Sequence, residues 1–286
     1  MPEAARVRGQ IPGDAARGRK PARSLSIAAK LPLAFSVVAL ILASPAAAEH
    51  PLIAKSRASE HTAFTDAQIS EGFFKIAFGA EFNTAGRIDR IRKYELPVRV
   101  YADNRAKLNR RAQVAAVVAD IQSRIAHIDI RMVEKRTDAN VLVMLVRDRE
   151  LPRFIRKFYG VERAKQIQKS LEPQCLSGFR KDDNYRIQSS DVLIAVDAGD
   201  FIFYDCIYEE LLQALGPIND DDSVPWTMFN DDVQKGYFDV YDQYLLNILY
   251  HPRIRAGMTH DEVRTLLPEI MPEIRAFVAK RNNLKQ

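Results

Sequence analysis

Apolar and polar positions alternate over Pro97-Val98-Arg99-Val100-Tyr101, which predicts a β-strand. From about Arg105 to Ala126 the period changes. Leu108, Ala112, Ala115, Val118, Ala119, Ile121 and Ile125 fall on one face of a helix that Asn104 is placed to cap. A strand pair is expected next, Ile128 to Val133 and Val141 to Val146, split by the turn-like Thr137-Asp138-Ala139-Asn140. The second run is apolar throughout, as in a strand covered on both faces. A basic helical stretch follows from about Arg149 to Lys169, and another strand from Asp191 to Asp197. A helix then starts near Phe203 and stops at Gly216, an available C-terminal cap. Tyr237 to Tyr250 and Asp261 to Arg281 read as two more helices. Strands interleaved with helices, then helices alone, predict an α/β subdomain over 71–216 and a smaller, mostly helical part over 217–286. Residues 49–70 read as a polar lead-in.

The N-terminus has a different pattern. Arg6, Arg8, Arg17, Arg19, Lys20, Arg23 and Lys30 precede an apolar run, Leu31 to Ala43, and then small residues through Ala48. Basic start, short apolar middle and small residues before a polar one describe a signal peptide over 1–48. The run of about 13 residues is short of the roughly 20 that span a bilayer. An exported protein is expected, periplasmic or secreted after cleavage near Ala48. Any membrane contact would come through this segment if it stays uncleaved.

The leader also carries the charge. Of 42 Lys and Arg and 37 Asp and Glu, the first 48 residues hold 7 and 2, so the remainder is balanced. Nucleic-acid binding needs a basic face on the folded domain, and this composition offers none. The two cysteines, Cys175 and Cys206, lie beyond the leader. In an oxidising compartment an even count suggests one disulfide, the alternative being two buried thiols.

The candidate chemistry lies in Glu209-Glu210-Leu211-Leu212-Gln213-Ala214-Leu215-Gly216-Pro217-Ile218-Asn219. On a helix, Glu209 and Gln213 are four apart and share a face. Gly216 would end the helix, and Asn219 would swing back toward that face. The spacing resembles the metzincin zinc peptidases, above all the matrixin branch, whose pattern is His-Glu-x-x-His-x-x-Gly-x-x-His with a methionine turn soon after. Gly216 and Glu210 match the glycine and the catalytic glutamate, and Met228 stands at a methionine-turn distance. The resemblance implies a metzincin-like α/β (α+β) fold, a mixed sheet with helices and a smaller helical C-terminal part. It departs at the ligands: the three histidine positions hold Glu209, Gln213 and Asn219. Zinc favours imidazole or thiolate in such sites, so no cofactor is expected. Zinc or a hard divalent ion enters only with an atypical hydrolase that uses Glu210 as general base.

The chain also resembles the domain-of-unknown-function 2927 family of exported bacterial proteins. The carriers are Glu209 to Gly216, Phe229-Asn230-Asp231-Asp232, and Leu249-Tyr250-His251-Pro252-Arg253 with Gly257-Met258-Thr259. The functional expectation is a pseudopeptidase that binds a protein or peptide of the cell envelope. A purely structural envelope factor is the third reading. The basic stretch Arg147 to Lys169, interleaved with Phe154, Phe158 and Tyr159, reads as a solvated helix face or a contact for an anionic surface.

Overall fold

The computed structural model describes residues 49–79, 89–170, 174–217 and 219–285; the expected signal peptide lies outside them. Chain order runs α1 (Pro51–Ala58), α2 (Asp66–Ala77), β1 (Val98–Asn104), α3 (Arg111–Arg124), β2 (Ile130–Met132), β3 (Val141–Val146), α4 (Leu151–Tyr159), α5 (Val161–Ser170), β4 (Cys175–Lys181), β5 (Ile187–Ala195), α6 (Asp200–Gln213), α7 (Val240–Tyr250) and α8 (His260–Asn282). The strands form one mixed sheet in the order β2-β1-β3-β5-β4, with only β4 antiparallel to its neighbour.

The apolar run at β3 explains the layering. All six of its residues are buried. Val141, Val143 and Leu145 join the main core, and Leu142, Met144 and Val146 join a second cluster under α4 and α5. A strand with helices on both faces has no solvent side, so its polar alternation disappears. β1 keeps the alternation, with Val98, Val100 and Ala102 buried.

The structure corrects several expectations. The helix predicted from Arg105 begins at Arg111, because Asn104 is still in β1, paired with Leu145. Asn104 caps nothing there; its amide donates to the Ala106 carbonyl. The expected strand pair is not a pair: β2 and β3 flank β1 on opposite sides, both parallel to it. The basic stretch is two helices, broken where Gly160 takes φ +79°. β4 was not anticipated, because Cys-Leu-Ser-Gly-Phe-Arg-Lys has neither apolar alternation nor β-branching. The segment read as a polar lead-in carries α1 and the start of α2, where Thr65 and Gln68 form a capping box.

The helical C-terminal part rests on α7, every residue of which is buried, packed between α2 and α8. The stretch before β1 threads between helix ends. Lys93 Nζ donates to the carbonyls of Leu249 (2.6 Å), in the last turn of α7, and Ile254 (2.8 Å), in the turn that follows it. Arg92 Nη2 donates to the Ala77 carbonyl at the end of α2 (3.2 Å). Both cations sit at the negative pole of a helix. Burial pulls them down all the same, Lys93 to about 8 and Arg92 to about 10. Among the described residues no helix is long and apolar enough to cross a membrane.

Candidate functional site

The last two turns of α6 carry Glu209, Glu210 and Gln213. They line a cavity of about 350 Å³ with Cys175 and Leu176 of β4, Ile167 of α5, Asp205 and Cys206 of α6, and Asp220, Asp231 and Gln234 of the following loop. The Cys175–Cys206 disulfide closes one wall and ties β4 to α6, with a Cα–Cα distance of 5.7 Å. The pairing expected from the cysteine count is therefore present.

Gln213 is the hinge of the site. Its Nε2 donates to Asp220 Oδ1 (2.7 Å), and its Oε1 accepts from the Ser177 hydroxyl of β4 (3.3 Å). One buried amide thus joins strand, helix and loop. Asp205 Oδ1 accepts the backbone N–H groups of Lys235 (2.7 Å) and Gly236 (2.9 Å), which pins the far end of the loop to α6.

Five carboxylates line this space, and among the described residues no Lys, Arg or His lines it. Burial raises Glu209 well above the usual range, and Glu210, Asp220, Asp205 and Asp231 add like-charge repulsion. Asp220 is pushed up to about 7 by burial and Asp231, against the bond from Gln213. Burial also raises Asp205 and Asp231. The cavity therefore holds protons near neutral pH, or favours a cationic guest that replaces them.

The expected ligand set does not converge. Asn219 turns away and donates to the Lys75 carbonyl of α2 (2.8 Å), lining a different groove between α2 and α8. Asp220 takes the place beside Gln213 that was expected of Asn219. Gln213 already spends both ends of its amide on protein partners. These residues do not fit zinc. Among the described residues no three His, Cys, Asp or Glu side chains are disposed to hold a metal ion. Met228 is buried and does not line the cavity; its N–H donates to Asp242 Oδ2 (2.8 Å), and Thr227 donates to the other oxygen (2.5 Å). α6 ends at Gln213, three residues before the expected stop at Gly216, which takes φ +140° in the turn that follows.

Sequence reasoning missed Asp205 and Ser177. Asp205 lies four residues before Glu209 on the same helix face, a visible signal. Ser177 had none, since β4 itself was hidden.

The mixed five-stranded sheet and the helical C-terminal part define an α/β protein. A family model described as Protein of unknown function (DUF2927) matches residues 66–269, and the chain belongs to that family. The matched stretch runs from the first residue of α2 into α8. No curated protein and no solved structure matches the chain.

Proposed function

We propose that this protein is an exported, non-catalytic binding protein of the cell envelope. On this reading it holds an extended segment of a protein partner in a metzincin-like cleft that has no zinc. The observation that carries the reading is the tie between an edge strand and the acidic cavity. Among the described residues β4 is the last strand on its side of the sheet, and the disulfide fixes it over α6. An edge strand presents backbone N–H and C=O groups on which another chain can add as a strand. The adjoining cavity of about 350 Å³ is large enough for one long side chain, and its carboxylate lining selects Lys or Arg. A purely structural factor would have the edge strand walled off from α6. Here Ser177 of β4 touches Gln213 of α6, so strand and helix line one cleft.

The test is titration of short extended peptides, one with a central arginine and one with norleucine in its place. The arginine peptide is expected to bind at least about tenfold more tightly, and E209Q/D220N should erase the difference. N-methylation of alternate peptide amides should abolish binding, because it removes the strand-pairing donors. Equal binding of both peptides would sink the proposal. So would stoichiometric metal in the purified protein that is lost in E209A, which would establish the metal-dependent hydrolase instead.

A further inference from the structure

α4 sits on the sheet face opposite α6, and its two sides divide sharply. Leu151 and Ile155 are buried in the second apolar cluster, and Phe154, Phe158 and Tyr159 pack partly against it. The outward side carries Arg149, just ahead of the helix, then Arg153, Arg156 and Lys157, all exposed. Their spacing of three and four residues aligns them in one row. None of the four has a carboxylate partner among the described residues. The nearby acids are mostly engaged: Glu150 with Arg147 (2.7 Å) and Glu162 with Lys165 (2.9 Å), while Asp148 is exposed. The row ends at the Gly160 turn, where Val161 is 56% exposed, one of the few large apolar side chains left open to solvent.

We propose that this row is a docking surface for an anionic phospholipid bilayer. The protein lies on it peripherally through Arg149, Arg153, Arg156 and Lys157, with Val161 touching the headgroup region. Charge complementarity is the first reason: four exposed cations in a line, with no ion-pair partner among the described residues, suit a surface of diffuse negative charge. The second is what the face lacks. Protein interfaces centre on packed apolar or aromatic anchors with charge at the rim. Here the aromatic residues of α4 are turned to the sheet, and none of the four cations lines one of the described cavities. With its apolar side already spent on the core, α4 does not insert as an amphipathic helix does, so binding is electrostatic and sensitive to salt.

The test places an environment-sensitive dye on the full chain at V161C and adds phosphatidylcholine vesicles with or without about 30% phosphatidylglycerol. A dye at this position reports the Val161 corner even if another part of the chain also meets the vesicle. A blue shift is expected with the anionic vesicles at about 50 mM salt, lost at about 500 mM. In the R153E/R156E/K157E background, at exposed positions where circular dichroism should show an unchanged fold, apparent affinity should fall at least about tenfold. No shift with anionic vesicles would overturn the proposal, as would a shift that survives charge reversal. A soluble polyanion, polyglutamate or DNA, that gives the same shift when vesicles do not would assign the face to another partner.

Discussion

Gly216 lies directly against the backbone of Arg92: a Cβ built on the glycine would stand 2.2 Å from the Arg92 carbonyl oxygen. The contact seats the end of α6 on the strand-like stretch that also carries Lys93 and Tyr94. The Tyr94 hydroxyl donates to Ser190 Oγ (2.7 Å) and lies 3.2 Å from the Asn140 carbonyl, and the Ser190 hydroxyl donates to the Ala214 carbonyl (2.8 Å). The glycine is needed twice, for its φ of +140° and for this approach. Gly216→Ala should cost about 3 kcal/mol or more, read as a lower denaturation midpoint at unchanged slope. A variant within about 0.5 kcal/mol of wild type would contradict the close approach.

The disulfide should matter for stability and for the cleft. Native protein should show no thiol on titration with an aromatic disulfide reagent. C175S/C206S should lose about 3.7 kcal/mol in the chain-entropy model for a separation of 31 residues. It should also weaken peptide binding, because β4 is no longer fixed over α6.

Asp220 gives a pH dependence of definite sign. Its pKa rises from 3.8 in the unfolded chain to about 7 in the fold, so the native state holds the extra proton between those values. Stability contributed by this group is therefore full below about pH 4 and declines as pH rises toward 7. Glu209 shifts in the same direction. D220N keeps an acceptor for the Gln213 amide and removes the titration. It should melt higher than wild type above pH 7, by about 1–2 kcal/mol, with the two curves converging near pH 4. Parallel curves across this range would refute the assignment.

Lys93 supports one carbonyl of the last turn of α7 and one of the turn after it from inside the protein. Lys93→Met keeps the length of the side chain but leaves the Leu249 and Ile254 oxygens without that donor. A loss of about 2–4 kcal/mol is expected in chemical denaturation at neutral pH. A neutral or stabilising result would mean that desolvation of the ammonium outweighs its two bonds.

How much of this was legible beforehand depends on the range of the interaction concerned. Pattern alone located β1, β3 and β5, the helices α6, α7 and α8, and the turn at Gly216 just beyond the end of α6. Each is set by a local period or by one residue's backbone freedom. The cysteine count suggested the disulfide, and the segment Glu209 to Gln213 was singled out on helical spacing. Partner choice was not legible. That β2 and β3 both pair with β1, and not with each other, depends on contacts between distant residues. A hydrophobic period records that a strand has a buried face, not which neighbour it takes. β4 is an edge strand without apolar alternation, held by β5 and by Cys206, and those restraints lie outside its own sequence. Asn219 and Asp220 are adjacent in a polar loop, and local spacing does not separate them. Only the packed fold sends Asn219 to the Lys75 carbonyl of α2 and Asp220 to Gln213 of α6. The sequence by itself determined most of the elements after residue 97 and their order, β4 and the break between α4 and α5 excepted. The tertiary structure decided which side chains share a cavity, because burial and long-range contact are properties of the assembled layers.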